Sequence, residues 1–163
     1  MQIRQATSQD VQQVSYMYEK LQESLQYLRK IKLTKSQMKK RFNKSDMKNI
    51  FVAEEKNKAI GFITIYSKDG EAELGWMGVS PEWRNKGVGK KLVRKIEIKA
   101  QKLGIKVLRV RTVGEAKPKY KPYIQTVAFY KSCGFGVEKK EKEKEEKGCK
   151  YRMYTFRKKL NRF

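Results

Sequence analysis

The sequence predicts a mixed α/β (α+β) domain built on a sheet, in the order β-α-α-β-β-β-α-β-α-β-β. Three observations predict it. Apolar residues recur with a helical period early in the chain and again near its middle. Between those stretches the pattern shifts to short apolar runs separated by polar turns. A strand–helix–strand succession then follows, which demands a parallel crossover. The 163 residues amount to one domain, 1–163.

Ile3 to Ala6 reads as a short first strand. Thr7 and Asp10 have the spacing of a capping box. After it Val11, Val14, Tyr18, Leu21, Leu25 and Leu28 form one apolar stripe, read as a core-facing helix. A second, basic helix is expected over Ser36 to Phe42. Ile50 to Ala53 and Ala59 to Tyr66 read as strands joined by Lys56-Asn57-Lys58, and a third strand, Glu71 to Val79, follows the turn Asp69-Gly70. These three suggest an antiparallel meander. Gly87 to Leu103 is helical, with Val88, Leu92, Ile96, Ala100 and Leu103 on one face and Gly104 as the stop. Ile105 to Thr112 is a strand. Pro122 to Ser132 is a short helix with Gly134 past its end. Gly136 onward and Tyr151 to Lys158 form a closing hairpin. Between them Glu138 to Lys147 is wholly charged and self-cancelling, read as a solvated hairpin tip.

Composition excludes several classes. Hydrophobic residues at 39% suffice for one core, and a net charge of +23 bears on partners rather than on fold. No stretch approaches the roughly 18 consecutive apolar residues of a membrane helix. The N-terminus has no apolar signal core. Two cysteines, Cys133 and Cys149, are too few for a disulfide framework, so a cytoplasmic protein without a membrane partner is expected. No histidine occurs. Histidine-dependent triads, histidine-ligated zinc and a histidine base are excluded, and proton transfer falls to Glu, Asp, Tyr, Lys, Cys or water. No metal site is expected.

The most informative segment runs from Val79 to Leu92. A strand ends, Pro81 breaks it, and a glycine-spaced turn opens an amphipathic helix. Gly87 and Gly89 let a ligand approach the backbone. The first amides of a helix lack internal partners and sit at the positive end of its dipole, which makes an anion site. Arg84, Lys86, Lys90 and Lys91 add charge. The turn can therefore cradle a diphosphate. It lacks the Walker A spacing, and it lacks the third glycine of a dinucleotide fingerprint. An ordinary strand–helix turn with a softened cap is the plain alternative.

Arg84-Asn85-Lys86-Gly87-Val88-Gly89 has the Arg/Gln-x-x-Gly-x-Gly/Ala pattern. Preceded by Gly78-Val79-Ser80-Pro81, it resembles the acetyl-CoA signature of the GNAT superfamily of N-acetyltransferases. Pro122 to Phe135, ending Phe-Tyr-x-x-x-Gly-Phe, resembles that family's C-terminal motif. The resemblance implies a GNAT fold over the whole chain: a mostly antiparallel, twisted sheet of about seven strands with about four helices, splayed around the pantetheine arm. It implies acetyl-CoA as co-substrate and a primary amine as acceptor, joined by direct attack in a ternary complex.

Residue by residue, the resemblance implies that Met77, Gly78 and Val79 line the arm and that the Val79 N–H faces the thioester oxygen. It implies that Arg84, Asn85, Lys86, Gly87, Val88, Gly89 and Lys90 hold the diphosphate. Tyr130 matches the family tyrosine near the sulfur, a proton donor to the leaving thiolate. Thr126 and Phe129 share its helix and could touch pantetheine and nucleotide. Tyr123 and Thr126 stand where many members carry Asn and Ala. Glu73 stands where some carry a glutamate base, acting directly or through water, with Glu71 and Glu54 behind it. Gly75 and Gly78 interrupt the strand, as at a bulge or close approach.

Lysines number 30 and arginines 10, scattered over every element. A basic funnel would steer CoA, which accounts for a patch and not for the total; a solvated lysine-rich surface is the favoured reading of the total. The region Lys30 to Lys48, expected at the acceptor rim, has eight basic residues against Asp46. It favours a carboxylate- or phosphate-bearing acceptor, or a peptide amine, over a polycation. Two other readings stay open: a nucleic-acid- or ribosome-associated protein retaining a GNAT fold, and a non-catalytic acyl-CoA sensor. The family's members are often homodimers, and nothing in the sequence locates an interface.

Overall fold

The computed structural model of the protein describes residues 1–25 and 47–161. The expected helix Ser36 to Phe42, Leu28 of the first stripe and nearly all of the Lys30–Lys48 rim lie outside the described residues. The chain divides into two compact units, Met1–Tyr66 with Gly75–Lys99, and Ser67–Leu74 with Ala100–Phe163.

In the first unit, β1 (Gln2–Gln5) pairs antiparallel with β2 (Ile50–Glu55), and β2 pairs antiparallel with β3 (Lys58–Lys68). The β2–β3 turn places Lys56 and Asn57 at φ 49° and 62°. Positive φ at both positions suits the twist of a tight hairpin, and asparagine tolerates it. α1 (Val11–Leu25) buries Val14, Met17 and Tyr18 against Met47, Ile50, Val52, Ala59 and Phe62. The Tyr18 ring meets Trp76 edge-on, centroids 5.1 Å apart. α2 (Val88–Lys102) turns Val88 and Leu92 toward Gly61. A Cβ at 61 would lie 3.0 Å from Val88 Cγ1, so that glycine permits the helix to come down on the strand.

Arg4 organises the entry to α1. Its two terminal nitrogens donate to the two carboxylate oxygens of Asp10 at 2.8 and 2.9 Å, and its Nε to Glu54 at 2.7 Å. Asp10 also accepts from the Thr7 N–H at 2.7 Å, which is the expected box contact. Burial alone would raise the Asp10 carboxyl, but Arg4 and Thr7 hold it below the ordinary aspartate range. A depressed carboxylate stabilises the fold above its unfolded pKa, and that contribution is lost as pH falls through the folded value. Arg4→Ala strands a carboxylate whose side chain is only 6% exposed. A loss of about 3 kcal/mol at pH 7 is expected, shrinking at pH 3. Urea midpoints at the two pH values check it.

β4 (Glu71–Val79) runs through both units. Its first four residues pair parallel with β5 (Val107–Lys117), Glu71 opposite Val107 and Leu74 opposite Val110. In the second unit α3 (Lys121–Ser132) follows β5. β6 (Gly136–Lys140), β7 (Lys144–Glu146) and β8 (Cys149–Lys159) follow, with β8 antiparallel to β5, β6 and β7. Tyr130, Phe135 and Phe156 form the aromatic centre, Tyr130 lying 5.8 Å from Phe135 and 6.3 Å from Phe156.

The strand order is β1-β2-β3-β4-β5-β8-β6, with β7 on β8. The expected mixed, mostly antiparallel sheet is borne out, with eight strands among the described residues where about seven were expected. The described residues hold three α-helices. β5 reaches Lys117 instead of stopping at Thr112, because its far half pairs with β8 as far as Lys117 opposite Lys150. Long-range pairing of that kind leaves no local trace. No helix among the described residues is long and apolar enough to cross a membrane.

The charged run is more than a solvated tip. Glu138 accepts from Arg109 Nε at 2.7 Å and lies 3.4 Å from Arg157 Nε. Glu141 accepts from Arg111 at 2.6 and 2.9 Å. The Arg111 guanidinium holds Glu141 down at about 2. The run therefore pins two β5 arginines through β6 and the residue that follows it.

Candidate active site

The first unit holds the end of β4 and the turn into α2. Trp76 N–H donates to Thr64 Oγ1 at 2.7 Å. Thr64 is buried at 2% exposure. A Cβ on Gly75 would lie 2.4 Å from that oxygen, and one on Gly78 would lie 2.7 Å from Phe62 Cε1. Both glycines therefore mark close approaches, as their place in the strand predicted. Thr64 was missed. Its one signal is a polar residue between Ile63 and Ile65, inside the run Ala59 to Ile65 that is buried throughout. Met77 and Val79 are half-buried at this end of β4.

Ser80 N–H returns to Ile60 O at 2.9 Å, and a short 3-10 turn, Pro81–Trp83, follows. Asn85 and Gly87 then take φ 60° and 79°. These two left-handed positions turn the chain sharply into the helix. Lys91 N–H donates to Gly87 O at 3.1 Å. The amides of Val88, Gly89 and Lys90 come before that rung of the helical ladder, as helix-initial amides do. Nothing lies within 4 Å of where a Gly87 Cβ would be. Arg84, Lys86 and Lys90 are exposed around the turn, and Lys86 Nζ sits 5.1 Å over the Trp83 ring. Open amides, open space and cations fit a diphosphate. The Arg84 Nε–H donates to the Val79 carbonyl at 3.1 Å.

The second unit holds the other candidates. Tyr130 is 5% exposed, and burial, then the nearby Cys133, pushes its phenol well up. Phe129 packs on it edge-on at 5.2 Å. The Thr126 hydroxyl donates to Pro122 O at 2.9 Å, so it is engaged by its own helix. Tyr123 is buried against Tyr120, rings 4.9 Å apart. Glu73 is exposed on β4, opposite Arg109 in the parallel ladder and close enough to act on Arg111. Arg109 is drawn to Glu71 and Glu138, and Arg111 to Glu141. Glu71 is thereby paired, and in the first unit Glu54 is paired with Arg4.

A family model for the acetyltransferase (GNAT) domain matches residues 46–137, more than half of the chain. The chain belongs to the GNAT acetyltransferase family. It is an acetyl-CoA-dependent N-acetyltransferase of that family. A search of curated protein sequences finds no match. Among solved structures, the GNAT fold here resembles ribosomal-protein-alanine N-acetyltransferase from Brucella melitensis, with TM-score 0.78 and 18% identity, covering 98% of this chain and 100% of that one. It resembles the ribosomal-protein-S18-alanine N-acetyltransferase of Escherichia coli at TM-score 0.73 and 14% identity, covering 99% and 95%. It also resembles a phosphinothricin acetyltransferase from Sinorhizobium meliloti in complex with acetyl-CoA, at TM-score 0.75 and 18% identity, covering 98% and 88%.

Proposed function

We propose that the whole chain, 1–163, is one GNAT domain that transfers the acetyl group of acetyl-CoA to a primary amine by direct attack in a ternary complex. The observation that carries this reading is the set of amides at Val88, Gly89 and Lys90, opened by the left-handed Asn85 and Gly87. The coenzyme supplies an activated acetyl thioester on a diphosphate handle. The turn from Arg84 to Lys90 grips that handle. Met77, Gly78 and Val79 line the arm, and the Val79 N–H points at the charge that develops on the thioester oxygen. Thr126, through its methyl group, and Phe129 pack beside the arm. Glu73 takes the amine's proton. Being exposed, it is reached by a bridging water as readily as by the amine itself. Tyr130 donates to the departing thiolate.

The acceptor class follows from charge. A net +23 repels polycations, so a peptide or protein amine, or a small amine bearing carboxylate or phosphate, is the favoured partner. Thiol release from acetyl-CoA should be faster with the α-amine of an acidic peptide than with spermidine, and calorimetry should register CoA binding. Absence of binding by both CoA and acetyl-CoA overturns the reading. The same charge favours a second one, a nucleic-acid-associated protein. Its signature would be tight, salt-sensitive RNA binding alongside thiol release from acetyl-CoA.

A further inference from the structure

Arg84 occupies a place where a cation would serve the diphosphate, yet its Nε–H donates to the Val79 carbonyl at 3.1 Å. That carbonyl belongs to the peptide joining Val79 to Ser80. The other end of the same peptide is also held, for the Ser80 N–H donates to Ile60 O at 2.9 Å. Ser80 itself is buried. One bond at each end fixes the plane of that peptide. The neighbouring peptide, which bears the Val79 N–H, joins it through the Val79 Cα. On its other side stands Gly78, seated so close to Phe62 that a Cβ would lie 2.7 Å away. The direction of the Val79 N–H is therefore set by the clamped peptide on one side and by the packed glycine on the other.

We infer that Arg84 is a positioning residue, whose Nε–H holds the Val79–Ser80 peptide so that the Val79 N–H keeps its aim. This inference rests on the proposed role of that N–H in the transfer. Reach gives a second argument. The donor used is the nitrogen bonded to Cδ, and glutamine carries an N–H donor at that same position. Lysine has its nitrogen one atom further out. Arginine and glutamine share this donor and not the charge. A residue chosen for the diphosphate's charge would instead be interchangeable with lysine.

The test compares Arg84→Ala, Arg84→Lys and Arg84→Gln with the unaltered protein. Two thioesters are used, acetyl-CoA and acetyl-pantetheine, which lacks the diphosphate, with the peptide amine as acceptor. Amide exchange at Ser80 is followed in the ligand-free protein. Arg84→Gln is expected to lose less kcat than the Ala and Lys variants on either thioester, about threefold. The Ala and Lys variants should each lose about tenfold in kcat on both thioesters, because the defect lies at the acyl end. Ser80 exchange should quicken about tenfold in those two variants alone. A Lys variant that matches wild type while the Gln variant fails would overturn the role. So would an Ala defect that vanishes with acetyl-pantetheine. A wild-type protein inert with both thioesters removes the transferase reading itself, and this role with it.

Discussion

Tyr130→Phe is expected to lower kcat for thiol release about a hundredfold, with the melting midpoint within about 2 °C of wild type. The ring is enclosed by Phe129, Phe135 and Phe156, and phenylalanine keeps all of those contacts. What is lost is one hydroxyl. Burial raises that phenol, so it stays protonated through the working range, which is the state a proton donor needs. The same apolar surroundings make a thiolate placed beside it more basic, so donor and acceptor shift together. No alkaline loss of rate attributable to Tyr130 should occur below about pH 10. An unchanged kcat in the variant would assign the ring to packing alone.

Gly114→Ala should cost about 2 kcal/mol, or about 4–8 °C in melting midpoint for a chain of this size. Gly114 sits where the β5–β8 register skips, from Val113 opposite Met153 to Glu115 opposite Arg152. The Tyr154 ring lies across it, and a Cβ at 114 would be 2.1 Å from the ring Cγ. That atom is the one next to the tyrosine's own Cβ, so the ring cannot simply swing aside. Its hydroxyl is also tied, donating to Glu115. Calorimetric melting measures the loss. In the double variant with Tyr154→Ala the collision has no partner, and the two losses should sum to less than additivity predicts.

Local chemistry made much of this molecule legible. The Asp69-Gly70 turn, the periodic face of α2 and the glycine-spaced entry into it depend on neighbours within a few residues. Periodicity and turn preference report such short-range physics well. The two family motifs were readable for the same reason, each being a contiguous run on one turn or helix. The capping contact of Asp10 with Thr7 was equally visible. Its tie to Arg4 and Glu54 was not, because 44 residues of sequence separate Asp10 from Glu54 and only strand pairing closes the gap. Glu138 and Glu141 carry the same lesson. Within the sequence they belong to a self-cancelling run, while in the fold each faces an arginine of β5.

What the order of amino acids determined by itself was the family, the element types and an amide-rich turn suited to an anion, since these arise from backbone conformation and side-chain spacing along one segment. The tertiary structure decided where charges and hydroxyls end. It placed the Thr64 hydroxyl on the Trp76 amide, the Arg84 guanidinium on the Val79 carbonyl, and the arginines of β5 on glutamates of the charged run. Long side chains can reach many partners, and the choice among them depends on which backbone the fold brings within hydrogen-bonding distance.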